Sequence, residues 1–228
     1  MNPAPLLKSA ACDGKIDMSS FQVSGENSLK QNFSKARDLL LHHCCGPCSP
    51  TVIDKFAGSF NIISYWFNPN IHPAEENNLR KTAMLELAAK KGLSVRFGPE
   101  YSESLWLDNA KAAGADRCRF CYYLRMKEAA KAAKTYNAGS FSTTLLSSPH
   151  QKHELIREAA MKAAAEEKVS FVYEDFRPFY YEGKKQAKEM GLYMQKYCGC
   201  IYSFEESAVS RQLKAKETKT LLKLRYDR

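Results

Sequence analysis

From Asp38 onward the chain alternates short β-branched or aromatic runs with amphipathic stretches. That alternation limits the possible folds more than any other feature of the sequence. The apolar run Asp38-Leu39-Leu40-Leu41-His42-His43 precedes Ser49-Pro50. There a serine N-cap and a first-turn proline predict a helix through Phe56. Asn61 to Phe67 reads as a buried strand, and Asn68-Pro69-Asn70 as a turn. The spacing predicts a helix over 74–91, with Leu79, Ala83 and Leu87 on one stripe and Gly92 ending it. Further strands are expected over 93–97, 140–146 and 169–173, and further helices over 104–113, 118–134 and 183–190. Ser148-Pro149 is read as the cap of another helix reaching Glu167. Strands and helices alternating over short loops predict an α/β fold. The expected form is a Rossmann-like, HUP-type parallel sheet flanked by helices, with its functional groups on loops at the strand carboxyl ends. Residues 1–36 are polar and poorly periodic and are expected to be a flexible arm carrying the isolated Cys12. The α/β domain is expected over 37–206 and holds the catalytic groups; 207–228 is expected to be a basic helix or tail.

Seven of the eight cysteines lie in three tight clusters: Cys44-Cys45-Gly46-Pro47-Cys48, Cys118-Arg119-Phe120-Cys121 and Cys198-Gly199-Cys200. Thiols this dense indicate metal binding, redox chemistry or both. A disulfide scaffold fits poorly, because 228 residues bury a core without staples. Residues 1–11 show no secretory h-region and no apolar run spans a bilayer, so a cytoplasmic protein without a membrane partner is expected. Cys45-Gly46-Pro47-Cys48 at a helix start resembles a thioredoxin-type dithiol. Cys44 and Cys45 with Cys118 and Cys121 give four thiolates from two loops, which satisfies either tetrahedral zinc or a 4Fe–4S cluster. Adjacent Cys44 and Cys45 reach two irons of a cuboidal cluster more easily than one tetrahedral ion. Cys198-Gly199-Cys200 is read either as a strained, easily reduced pair or as two more ligands. Of His42 and His43, alternation on a strand turns at most one toward the site. His72 falls on a loop at the same edge, and His150 and His153 stand at a helix start suited to anions. No GxGxxG, Walker loop or Ser-Gly-Gly-x-Asp-Ser motif is present.

The formal charge is +9, and 211–228 alone holds seven Lys and Arg against two acids. A basic excess of this size favours polyanionic partners.

Six segments carry a resemblance. They are Leu41-His42-His43-Cys44-Cys45-Gly46-Pro47-Cys48; Tyr65-Trp66-Phe67-Asn68-Pro69-Asn70-Ile71-His72-Pro73; Arg117-Cys118-Arg119-Phe120-Cys121; Thr143-Thr144-Leu145-Leu146-Ser147-Ser148-Pro149; Asp175-Phe176-Arg177-Pro178; and Gly191-Leu192-Tyr193-Met194-Gln195-Lys196-Tyr197-Cys198-Gly199-Cys200. In this order they are similar to the QueH family of epoxyqueuosine reductases, across roughly Asp38 to Glu206. The resemblance implies cobalamin-independent reduction of epoxyqueuosine to queuosine at the tRNA wobble position. It implies a 4Fe–4S cluster on Cys44, Cys45, Cys118 and Cys121, and a redox-active disulfide between Cys198 and Cys200. It also implies a second, mononuclear metal, iron, for which Cys48 and a carboxylate such as Asp116 or Asp175 are the expected ligands. Cys48 is expected on the epoxide side, with Cys198 and Cys200 relaying reducing equivalents from an unnamed donor. The tRNA anticodon loop would be met by aromatics and cations beside the last cysteine pair: Tyr180, Tyr181, Lys184, Lys185, Lys188, Tyr193 and Lys196. The rival readings are a general thiol–disulfide oxidoreductase, which predicts no iron, and a non-catalytic zinc RNA-binding module.

Overall fold

The structure is a computed structural model and describes residues 37–100, 102–210 and 212. The expected arm 1–36 with Cys12, and nearly all of the tail beyond 210, lie outside the described residues.

Five strands form one fully parallel sheet: β1 (Arg37–His42), β2 (Phe60–Trp66), β3 (Val95–Phe97), β4 (Ser140–Thr143) and β5 (Ser170–Phe171), in the order β3-β2-β1-β4-β5. The helices are α1 (Pro50–Ala57), α2 (Ala74–Lys90), α3 (Glu103–Ala113), α4 (Arg117–Thr135), α5 (His153–Glu167) and α6 (Tyr180–Glu189), and residues 201–210 are also helical. The order of strands reverses between β1 and β4, which run in register with His42 beside Thr143. In open parallel sheets such a reversal opens a crevice at the strand carboxyl ends. The first cysteine cluster leaves β1 at that crevice.

The central strand explains itself. Leu39, Leu40, Leu41 and His42 are all fully buried, as a parallel strand covered on both faces requires. α4 and α5 pack on each other, with α4 against β1 and β4, while α1 packs on α6 and β2. The α4–α5 seam is made of small residues, with Ala129, Ala130, Ala133, Ala160 and Ala163 fully buried. Among the described residues no helix is long and apolar enough to cross a membrane.

Several elements depart from expectation for local reasons. β4 ends at Thr143 instead of running to Leu146. The Thr143 hydroxyl accepts from the Leu145 amide at 3.2 Å and turns residues 144–147 into a 3-10 helix. α5 starts at His153, not at Pro149. The Gln151 amide bonds to the Ser148 carbonyl at 3.2 Å, which places Pro149 second in a tight turn, a position its fixed φ favours. Ser49 does not cap α1 with its side chain; its hydroxyl donates to the Cys45 carbonyl at 2.7 Å and pairs with His43 Nδ1 at 2.9 Å. On α2 the buried stripe includes Ala83, Met84 and Leu87, whereas Leu79 is 48% exposed. Glu76 and Arg80, both buried, occupy the inner face in its place. β3 and β5 are shorter than read.

Candidate active site

A cavity of about 350 Å³ opens at the carboxyl ends of β1 and β4. Cys44, Cys45 and Cys48 reach it from the β1–α1 loop, Gln151 from the turn before α5, and Gln195 and Cys198 from the segment after α6. Its volume lies in the range of small-molecule clefts, about 300–1,000 Å³.

The first cluster is set by contacts local to the crevice. Gly46 sits against α2, where an added Cβ would meet the Ala83 Cβ and carbonyl at 3.1 Å. The Cys44 amide donates to Thr144 Oγ1 at 3.0 Å, and the Thr144 hydroxyl donates back to Cys44 Sγ at 3.3 Å. The Cys44 and Cys45 sulfurs are 3.7 Å apart. Cys44, Cys45 and Cys48 bring their sulfurs within 4.8 Å of one another, the tightest thiol group among the described residues. Gln195 Nε2 donates to Cys45 Sγ at 2.9 Å and approaches Cys48 Sγ at 3.6 Å.

Cys118 stands in the first turn of α4 and Cys121 at the start of the second, where it is buried. Cys200 packs with Cys121, Trp106 and Tyr202. Cys198 accepts from Gln151 Nε2 at 3.3 Å, and Gln151 Oε1 in turn accepts from the Tyr122 hydroxyl at 2.7 Å. Burial pushes the Cys121 thiol up to about 11, with Arg125 pulling the other way. Burial also raises Cys44, against the hydrogen bond from Thr144 and the charge of Arg125. The Cys118–Cys121 pair meets Cys200 and neither joins the Cys44, Cys45 and Cys48 group nor lines the cavity, to which the last cysteine pair contributes Cys198.

The disulfide in the structure joins Cys45 to Cys48, while Cys198 and Cys200 are free thiols. That differs from the expected Cys198–Cys200 bond. The two sulfurs of the Cys-Gly-Cys segment have different partners, Gln151 for Cys198 and Ser203 for Cys200, and Gly199 between them takes φ +138°. The carboxylates expected for a second metal are engaged elsewhere. Asp116 is 81% exposed and faces Arg119. Asp175 is gripped by the Arg177 guanidinium and amide, and this holds its carboxyl down at about 2. Neither joins the cysteine group.

Both histidines of the His-His pair are buried, and burial lowers each to about 3. They serve the framework. His42 bonds to Thr143 Oγ1 at 2.9 Å and to the Phe67 carbonyl at 3.0 Å, and His43 pairs with Ser49. His72 pairs with Glu103, its amide donates to the Gly199 carbonyl at 2.8 Å, and its carbonyl accepts from the Tyr197 hydroxyl. It ties the last cysteine pair to the loop after β2.

Of the expected RNA-contacting side chains, Lys184, Lys196 and Tyr180 line the cavity. Lys185 and Lys188 are exposed on α6 and are not among the lining residues. Tyr181 is 80% exposed, and His150, Tyr180 and Tyr181 form consecutive edge contacts at 5.8 and 5.3 Å. Tyr193 differs from expectation. Its hydroxyl donates to the buried Glu76 carboxylate at 2.6 Å, so it belongs to the framework around Arg80.

Sequence reasoning missed four contributors: Arg80, Arg125, Gln151 and Gln195. Arg80 is 1% exposed and donates to Glu76 at 2.7 Å and to the Cys198 and Tyr197 carbonyls at 3.0 Å each. A signal existed for the arginines. Glu76 and Arg80 are one turn apart on the face that carries Ala83 and Leu87, and Arg125 follows Cys121 by one turn. No spacing marks the glutamines, which enter the site from loops.

The family model described as epoxyqueuosine reductase QueH matches residues 39–206. A protein of Dehalococcoides mccartyi named epoxyqueuosine reductase QueH is 37% identical, covering 74% of this chain and 93% of its own length. Its namesake in Thermotoga maritima is 32% identical over 74% of this chain and 91% of that protein. The Haemophilus influenzae protein of the same name is 31% identical over 82% and 80%. The matched span runs from the central strand through the last cysteine pair and takes in every wall of the cavity, so the chain belongs to the QueH family of epoxyqueuosine reductases.

Proposed function

We propose that this chain reduces epoxyqueuosine to queuosine in tRNA. The supporting observation is that the family match encloses all three cysteine clusters, with Cys44, Cys45, Cys48 and Cys198 lining one cavity. Opening an epoxide to an alkene takes up two electrons and two protons and releases water. Two thiols closing to a disulfide release two electrons and two protons, so one turnover of Cys198 with Cys200 balances one turnover of substrate. In this reading Gln151 holds Cys198 and Ser203 holds Cys200, and an external two-electron donor restores the pair.

The donor set fits a thiolate-held inorganic cofactor. Cys44, Cys45 and Cys48 bring three sulfurs within 4.8 Å of one another, a donor group that a thiophilic metal takes up as thiolates. The 4Fe–4S cluster would be held by Cys44, Cys45, Cys118 and Cys121, and supplies electrons one at a time. Cys45 ligates only as a thiolate, so ligation and the Cys45–Cys48 bond exclude one another. A second metal, iron, would draw on Cys48, with Gln195 Nε2 beside it. Asp116 and Asp175 are not included in its ligand set. The tRNA loop would enter over His150, Tyr180 and Tyr181, with Lys184 and Lys196 at the phosphates.

The experiment is an anaerobic reaction of the purified protein with epoxyqueuosine-containing tRNA, a chemical reductant and a dithiol donor, followed by mass analysis of the nucleosides. The expected product is lighter by one oxygen atom. Cys198→Ser with Cys200→Ser is expected to abolish turnover with the dithiol donor while iron and sulfide content stays that of the parent. Unmodified epoxyqueuosine throughout, from protein with full iron and sulfide, would refute the reaction.

A further inference from the structure

Two arginines are buried at the sulfur-rich end of the sheet, and they are satisfied very differently. Arg80 has an acid partner in Glu76, and each of its nitrogens is engaged. Arg125 is 3% exposed and has no such partner. Its Nε donates to the Cys121 carbonyl at 3.4 Å and its Nη1 to Asn68 Oδ1 at 3.3 Å, both long contacts to neutral acceptors. Its Nη2 is buried and has no hydrogen-bond partner among the described residues. No ion pair to Arg125 is found there either. A buried cation left uncompensated is costly, so it is kept where an anion faces it. The candidates here are sulfurs. Along α4, Arg125 follows Cys121 by four residues and Cys118 by seven, so one helix face presents all three.

We propose that Arg125 is the counter-charge of the sulfur centre, a positioning residue whose fixed positive charge raises the reduction potential of the iron–sulfur cluster bound by Cys44 and Cys121. This rests on the iron–sulfur reading given above. Each electron accepted adds a negative charge to the cluster, and a cation in a low-dielectric surround stabilises that reduced form. Asn68 holds the guanidinium in place: its Oδ1 accepts from Nη1, and its Nδ2 donates to the His43 carbonyl at 2.8 Å, next to Cys44.

The test is an anaerobic redox titration of the cluster, followed by its visible absorption and electron paramagnetic resonance, in the full chain and three variants. Arg125→Gln removes the charge. Arg125→Lys keeps it. Asn68→Asp leaves the arginine and neutralises it with a carboxylate. Arg125→Gln and Asn68→Asp are expected to be harder to reduce, with the oxidised-to-reduced ratio at the parent's midpoint rising about tenfold, or about 59 mV for a one-electron couple. Arg125→Lys is expected to stay near the parent. Should Arg125→Gln fail to fold or to load, Asn68→Asp decides on its own. Equal potentials across parent, Arg125→Gln and Asn68→Asp overturn the assignment. A parent protein lacking iron and sulfide overturns the cluster reading itself, a result distinct from unchanged potentials in loaded protein.

Discussion

At the scale of single residues, Arg80 shows how the site is held. It is nearly inaccessible, pairs with Glu76 one turn earlier, and extends two nitrogens to the carbonyls of Tyr197 and Cys198. Tyr193 completes the group by donating to the other Glu76 oxygen. The guanidinium also stands 3.2 Å from where a Cβ on Gly199 would lie, so glycine is needed there for space as well as for its backbone angle. Losing the arginine alone strands a buried carboxylate and frees the cysteine segment. Arg80→Met is therefore expected to cost about 3–5 kcal/mol in urea denaturation. The double variant Arg80→Met with Glu76→Leu should recover part of that loss, because no charge is then left alone. If the double variant lost the sum of the two single losses, the pair would not be coupled. The cysteines themselves were plain in the sequence because thiol chemistry depends on residue type and close spacing. The arginines were harder to see, since a charged residue on an amphipathic helix ordinarily faces solvent and only the fold reveals that this face is covered.

At the scale of elements, the alternation of strands and helices was readable because each strand is a short β-branched or apolar run and each helix a longer periodic one. The ends were less readable. Thr143 ends β4 through a side-chain hydrogen bond, and Ser148-Pro149 makes a turn where its composition equally suits a helix start. Both are local choices between hydrogen-bond partners that composition leaves open. The α4–α5 pair carries its own charge clamp. Lys127 on α4 reaches Glu166 and Glu167 on α5, and the Tyr123 hydroxyl donates to Glu166. Burial pushes Glu166 up, but the bonds from Lys127 and Tyr123 bring it below its ordinary value of 4.5, and Lys127 lowers Glu167 likewise. Carboxyl groups lowered in the folded state add stability that is complete above the unfolded pKa and lost as pH falls through the folded one. Lys127→Met should accordingly unfold at lower urea than the parent at pH 7. The two midpoints should converge as the pH is taken below about 4. A gap that stayed constant across that range would mean that the lysine contributes by packing alone.

At the scale of the whole molecule, the net charge of +9 and the placement of the cavity bear on how a polyanion would be bound. Charge alone suggested a broad basic surface including 211–228, which lies almost wholly outside the described residues. The described part is more selective: Lys184 and Lys196 line the cavity, Lys185 and Lys188 stand away from it, and an aromatic series of His150, Tyr180 and Tyr181 leads outward. The two kinds of group should leave different marks on tRNA affinity. A lysine facing phosphate releases a counterion when it binds, so Lys184→Glu or Lys196→Glu should reduce the slope of log affinity against log salt by about 0.7–0.9. Lys185→Glu and Lys188→Glu should change it less. Tyr181→Ala removes a stacking surface without touching charge, so it should weaken binding by about 1–3 kcal/mol and leave the salt slope unaltered. Titrations of the same tRNA at several salt concentrations measure both quantities at once. Equal slopes for Lys184→Glu, Lys188→Glu and the parent, with no loss for Tyr181→Ala, would show that the tRNA approaches another face.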